Sequence, residues 1–290
     1  MMSGLHTAYP FPFKKRDDVD RSAAQAMRNE CRNGGFSGST SGRAPGFVQA
    51  NLVILPKEFA LEFATFCLRN SRACPLLDVT EVGSPEPSMV APGADLRTDL
   101  PKYRIWINGK LEAEVTDITD VWRNDFVGFV LGCSFSFEAA LAREGLEPRN
   151  VTMKSNVSMY RTTHPNIKSG PFEGNLVVSM RPYPPSSLPD VIRITSSFPG
   201  AHGGPIYKGK TDATPHCSFL GIGNLGLPDF GDPVPIGEGE IPVFWACGVT
   251  PQVAIETAAP APPIAITHAP GHMFVTDLVD DEMRVGQPPG

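Results

Sequence analysis

The chain has no Cys-x-x-Cys pair. Its six cysteines, Cys31, Cys67, Cys74, Cys133, Cys217 and Cys247, therefore exclude a zinc ribbon, a thioredoxin-type site and a simple iron–sulfur ligand run. His268 and His272 stand four apart, but Ala269-Pro270-Gly271 between them cannot form the helix that would align them on a metal. Long apolar runs are missing too. The longest, Phe126 to Phe137, is broken by glycine and serine and falls short of the ~18 residues a membrane span needs. Basic runs stop at Lys14-Lys15-Arg16, and 25 Lys and Arg against 31 Asp and Glu leave a formal charge of -6, which disfavours nucleic acid. The N-terminus lacks the apolar segment of a secretory signal. The expected setting is the cytoplasm, with a mitochondrial address left open.

Proline and glycine are abundant. Thirty of one and 28 of the other in 290 residues predict many turns and short elements. Residues 1–19 read as a loose arm, 20–278 as the folded region and 279–290 as a tail. Asp20 to Arg32 is expected to be a helix stopped by Asn33-Gly34-Gly35. Asn51 to Leu55 reads as a strand, and Pro56 opens a helix with Phe59, Phe63, Phe66 and Cys67 on one face. Tyr103 to Ile107 and Leu111 to Val115 flank Asn108-Gly109 as a hairpin. Phe126 to Leu131, Leu176 to Met180, Pro242 to Ala246 and Pro263 to Thr267 are continuous apolar runs of buried strands, with helices expected at Phe137 to Glu144 and Pro251 to about Ala258. The alternation indicates an α/β fold with a mixed or mostly parallel sheet covered on both faces.

Polar, thiol and imidazole groups fall at the strand exits, where open α/β sheets bind ligands. Gly132-Cys133-Ser134-Phe135-Ser136 leads into a helix whose free N–H groups suit a carboxylate; Ser134 or Ser136 would touch the ligand or cap the helix. At the second exit Thr250 is placed as N-cap and Pro251 as first helical residue, so Cys247 is either an activated thiol or a buried inert one. His268 after the fourth strand, and His202 in Ala201-His202-Gly203-Gly204-Pro205, are general acid–base candidates that compete with satisfied structural histidines. Tyr160-Arg161-Thr162 and Arg181 suit capture of a carboxylate, with ordinary salt bridges as the alternative. Arg97 and Asp99 could pair with each other and hold their loop.

Thr40-Ser41-Gly42-x-Ala44-Pro45-Gly46-Phe47-Val48-Gln49-Ala50-Asn51-Leu52, Arg97-Thr98-Asp99-Leu100-Pro101-x-Tyr103-Arg104, Gly132-Cys133-Ser134-Phe135-Ser136-Phe137-Glu138, Tyr160-Arg161-Thr162, Ser179-Met180-Arg181-Pro182, Phe244-Trp245-Ala246-Cys247-Gly248-Val249-Thr250-Pro251-Gln252 and Thr267-His268-Ala269-Pro270-Gly271-His272-Met273 together resemble the D-glutamate cyclase family, whose bacterial members carry a hydro-lyase name. The match runs in order from about Gly38 to Asp277. It implies two intertwined α/β sub-domains with mixed sheets, and closure of D-glutamate to 5-oxo-D-proline with loss of water. Lys208 to Ser218 is longer than the family's connection, which puts His216 and Cys217 in an inserted loop.

Three readings follow. The first is a cofactor-free dehydrating cyclase or hydro-lyase for a small amino or hydroxy acid. In it Arg161 and Arg181 hold a carboxylate, with Tyr160 beside them, and Ser134, Ser136 and Thr250 face the second carboxyl. His268 or His202 moves protons, with Cys247 as partner. The second is a racemase using Cys133 and Cys247 as a two-thiol pair. The third is a non-catalytic small-acid binding protein. A homo-oligomer is compatible with all three, and none calls for nucleic acid or a membrane.

Overall fold

A computed structural model describes residues 18–209 and 216–285. Most of the expected N-terminal arm, and the centre of the expected insertion, lie outside the described residues. The chain enters with α1 (Ser22–Arg32), whose Ala24, Met27 and Cys31 pack on Phe47 and Val275. It continues through β1 (Phe47–Pro56), α2 (Ala60–Arg69), β2 (Leu76–Val79), β3 (Tyr103–Ile107), β4 (Lys110–Val115) and β5 (Phe126–Gly132). After α3 (Glu138–Arg143) and α4 (Arg149–Thr152) come β6 (Ser158–Pro165), β7 (Asn175–Tyr183), α5 (Leu188–Ser196), the short β8 (Tyr207–Lys208) and β9 (Ile241–Ala246). The chain closes with α6 (Thr250–Glu256), β10 (Ile264–His268) and β11 (Phe274–Val279).

Two sheets result. The first runs β2-β5-β1-β10-β3-β4, with β11 also paired to β1, and the second runs β6-β7-β9-β8. The chain leaves the first sheet after β5, builds the second, and returns for β10 and β11, so the two α/β halves are intertwined. Every strand pairing is antiparallel, which corrects the expectation of parallel neighbours. Strands buried on both faces report their layer, not their direction. In β1, Val48, Ala50, Leu52 and Ile54 enter one core cluster while Val53 and Leu55 enter another, because successive side chains point to opposite faces. The second cluster holds the α2 face: Phe63 meets Phe129 edge-on at 4.8 Å, and each such buried ring contributes roughly 1.5–3 kcal/mol.

Local expectations fare unevenly. Asn108 and Gly109 take φ of 49° and 77°, the left-handed pair a two-residue hairpin turn requires. Arg97 does not pair with Asp99. It reaches back to Asp95 at 2.7 Å, because both Asp99 oxygens are already taken by the two arms of Arg32 at 2.7 Å each. The packed chain also runs past residue 278: Asp280 and Met283 are buried, the latter in the main core.

One junction matters for the site. Along the same edge of β1, β11 pairs from Phe47 to Ala50 and β10 pairs at Val53 and Ile54. The two partners diverge beside Asn51 and Leu52.

Candidate functional site

Gly132 ends β5 with its backbone against the Gly200 carbonyl, where a Cβ would collide with the carbonyl oxygen. Only glycine lets this exit pass so close. The next residue, Cys133, is extended (φ -129°, ψ 146°) and its thiol accepts from the Phe135 N–H at 3.5 Å. A single 3-10 turn, Ser134–Phe137, then feeds α3. The turn delivers Ser134 and Glu138 to one cation. Arg181, wholly buried on β7, donates from Nη2 to Ser134 Oγ at 3.1 Å and to Glu138 Oε1 at 2.8 Å, and from Nη1 to Ser179 Oγ at 3.2 Å. Its guanidinium carbon lies 5.2 Å and 5.5 Å from the Phe137 and Trp245 ring centres. Burial raises the Glu138 carboxyl and the Arg181 charge opposes it.

Strand register explains what else shares this face. Arg161 lies opposite Val177, and Ser179 opposite Trp245; directly paired residues and every second residue share a face. Arg161, Val177, Ser179, Arg181 and Trp245 therefore line one side of the second sheet. Cys247, just past β9, and Cys133 join one apolar cluster there with Val177, Met159 and Met273. Asn51 binds the first exit to the second: its Nδ2 donates to the Gly132 carbonyl at 2.7 Å, and its amide fills the space a Cβ on Gly248 would need.

The electrostatics are uniform. Burial pushes the Cys133 thiol up to about 12 and the Cys247 thiol up to about 11, against the pull of Arg181. Of the two alternatives for Cys247, burial favours the inert thiol, because desolvation outweighs the dipole of a two-turn helix. His202, held in a left-handed conformation at φ 75°, donates from Nδ1 to the Arg72 carbonyl at 2.7 Å. That bond fixes the proton on Nδ1, and burial, helped by the Arg181 and Arg72 charges, drops the ring to about 4. His202 Nε2, Arg181 Nε and Trp245 Nε1 are buried atoms with no partner among the described residues. His202 also lines a cavity of about 700 Å³ with Gly200, Leu188 and Val243.

Other expected site residues are elsewhere or otherwise engaged. Tyr160 points to the opposite face of the second sheet, into a cluster with Val178, Met180 and Phe244, and donates to the Leu225 carbonyl at 2.6 Å. Arg161 shares the right face but is partly exposed, bound to Glu256 at 2.6 Å and stacked over Phe230 at 5.2 Å. Ser136 exchanges two hydrogen bonds with the Gln49 backbone. Thr250 is the first helical residue, not the N-cap, and its hydroxyl accepts from the Val177 N–H at 3.0 Å.

His268 fills the divergence between β10 and β11. Its Nδ1 accepts from the Leu52 N–H at 3.1 Å, taking the place of a missing strand partner, and burial drops the ring to about 3. Sequence reasoning gave no site role to Asn51, Gln49, Ser179 or Glu138, which entered only as members of the family-like motifs. The signal was present in β1: Gln49 and Asn51 break the apolar pattern at alternate positions on one face.

Among the described residues no three His, Cys, Asp or Glu side chains converge as metal ligands, and no helix is long and apolar enough to cross a membrane. A sequence profile of the D-glutamate cyclase family matches residues 127–277, from β5 into β11. Three bacterial proteins, each named "Putative hydro-lyase", align over nearly their whole length. That of Geobacillus kaustophilus is 54% identical, covering 91% of this chain and 97% of its own. YcsI of Bacillus subtilis is 51% identical, covering 91% and 99%. The Agrobacterium fabrum protein is 49% identical, covering 93% and 97%. A nitrogen repressor-like protein from Methanococcus jannaschii aligns at 10% identity over 81% of this chain and 88% of its own, at a TM-score of 0.35, too loosely to bear on fold or function. On the relatives and the profile together, the chain belongs to the D-glutamate cyclase family.

Proposed function

We propose that the protein is a hydro-lyase acting on a small amino or hydroxy acid, with dehydrative closure of D-glutamate to 5-oxo-D-proline as its lead reaction. The observation that carries this reading is the charge state around Arg181. Both thiols and the His202 ring are held uncharged at neutral pH, which leaves the Arg181–Glu138 pair as the buried ion pair beside them. Cyclisation suits such a site. It needs a neutral amine, a protonated or strongly hydrogen-bonded carboxyl, and a fixed pose, which by itself supplies roughly 7 kcal/mol or more in favourable cases.

Arg181 Nε–H and Trp245 Nε1–H, buried and unpartnered, are the donors for substrate oxygens. Ser134, bound by Arg181, stands beside them. The new bond joins the amine nitrogen to the distal carboxyl carbon as the carbon–hydroxyl bond breaks. The amine proton passes to the leaving hydroxyl, which departs as water; the unpartnered His202 Nε2 lone pair supports assigning that transfer to His202. A two-thiol racemase needs one thiolate. A thiol at about 11 is ionised in only about one molecule in 10⁴ at pH 7, which weighs against that reading.

The test is proton NMR of the purified protein with D-glutamate and, separately, L-glutamate. The expected result is 5-oxoproline from the D isomer, slowed at least ~100-fold in Arg181→Met. Tight binding of the amino acid without product under any condition would support the non-catalytic reading instead.

A further inference from the structure

Glu138, the Arg181 counter-ion, also lines a second cavity, of about 440 Å³, between the loop Gly42 to Phe47 and α3. Gln49, Asp280, Glu138, Glu147, Arg43 and Arg143 contribute its polar lining, and Phe135 an apolar wall. Its size is that of a small-molecule site. Two of its groups are buried acceptors without a donor. Gln49 is 3% exposed, and its Nε2 donates to the carbonyls of Thr40 and Arg43 at 3.0 Å each. Those two bonds fix the amide orientation, since a flipped amide would set oxygen against two carbonyl oxygens. Gln49 Oε1 is thereby left unpartnered. Asp280, 2% exposed, is anchored by its N–H to the Gly46 carbonyl at 2.8 Å, and its Oδ1 is also unpartnered.

Unsatisfied buried acceptors are rare because each costs the desolvation of its lone pairs. A ligand that repairs both must bring at least two N–H or O–H groups, and the smallest that carries them does so on a single head. A hydroxyl has a single proton and satisfies one acceptor; a primary ammonium has three and carries the charge a buried carboxylate lacks. The surroundings agree. Burial pushes the Asp280 carboxyl up to about 7, with Arg143 and Arg284 pulling it down and Asp281 pushing it up. Arg143 is engaged with Asp281 at 3.5 Å and Arg43 lies over the Phe36 ring at 4.6 Å, so neither guanidinium occupies the acceptor pair.

We propose that this cavity binds the primary ammonium head of a small molecule, with Gln49 Oε1 and Asp280 Oδ1 as its acceptors. The proposal does not depend on the reaction assigned to the Arg181 side. Sequence alone hid it, because Gln49 precedes the expected strand Asn51 to Leu55 and Asp280 falls in the expected tail.

The probe is methylammonium, followed by NMR of the Gln49 side-chain amide and the Asp280 carboxyl carbon in the full chain. The expected result is saturable shifts of both at tens of millimolar methylammonium, with the Asp280 titration moving down by about one pH unit. Methanol and tetramethylammonium should produce neither change. In Asp280→Asn, which keeps the side chain's shape, the methylammonium shift at Gln49 should weaken at least ~10-fold. Absence of shifts at 100 mM-scale methylammonium, or equal shifts with tetramethylammonium, would overturn the proposal and leave a water-filled structural cavity. Turnover of glutamate enters none of these readouts, so failure of the reaction assignment would leave this result standing, and the reverse.

Discussion

The exits of β5 and β9 have nearly the same composition and different physical roles. Both place a cysteine beside a glycine at the end of a buried strand, ahead of a helix. The β5 exit turns sharply under the Gly200 carbonyl and so presents Ser134 and Glu138 to Arg181. The β9 exit contributes a thiol to an apolar cluster and a glycine that yields its space to Asn51. A helix start after a strand becomes a polar site only when a second element brings a charge to it. At β5 that element is β7 with Arg181; at β9 the Asn51 amide and the Val177 backbone occupy the position.

The largest expected effect strikes the β5 side alone. Glu138→Gln leaves the Arg181 charge buried without its counter-ion and should cost about 3–5 kcal/mol, whereas the double change Glu138→Gln with Arg181→Met should recover much of it. Urea unfolding of the three variants checks this, and additive losses would mean the pair is not coupled. Next come the glycines. Gly132→Ala must displace a backbone carbonyl and should cost about 3 kcal/mol, while Gly248→Ala meets a side-chain amide that can rotate and should cost about half as much. Equal losses would erase the distinction between the exits.

A smaller effect separates the two histidines from the carboxylates. His202 and His268 titrate near 4 and 3 in the fold against about 6.5 in the unfolded chain. Each pKa is depressed, so the unfolded state binds more protons between those limits. The stability due to burying neutral rings is complete above pH ~6.5 and is lost as pH falls toward ~4, by roughly 2–3 kcal/mol per ring after allowance for relaxation. His268→Asn should keep an acceptor for the Leu52 N–H and flatten that slope by one proton; an unchanged slope between pH 5 and 7 would contradict the burial account. The smallest effect concerns the thiols. Cys133→Ser and Cys247→Ser should each slow turnover less than ~10-fold, because uncharged thiols act here as wall, whereas a thiolate mechanism would lose about 10³-fold or more.

Much of this arrangement was legible in the residues. The apolar runs at Phe126 and Leu176 became β5 and β7, Asn108-Gly109 became the β3–β4 turn, and Arg181, Ser134, Cys133 and Cys247 do share one face. What could not be read is what pairing decides. Parity along β6 puts Tyr160 away from Arg161, and no count within that segment tells which face meets the β5 exit. Strand direction was equally hidden, since the pairings of β1 with β10 and β11 join residues more than 200 positions apart. Thiol acidity was left open for the same reason: it depends on how deeply Cys247 is buried among residues from β6, β7 and α6, not on the Thr250-Pro251 that follows it.

The central claim is that chemistry at the Arg181 face leaves the Cα–H bond alone because every thiol there stays neutral. Counting deuterium at Cα after incubating the protein with D-glutamate in deuterated buffer tests it most directly. The account predicts 5-oxoproline that retains its Cα proton. Deuterium entering Cα without ring closure would contradict it and transfer the chemistry to Cys133 and Cys247.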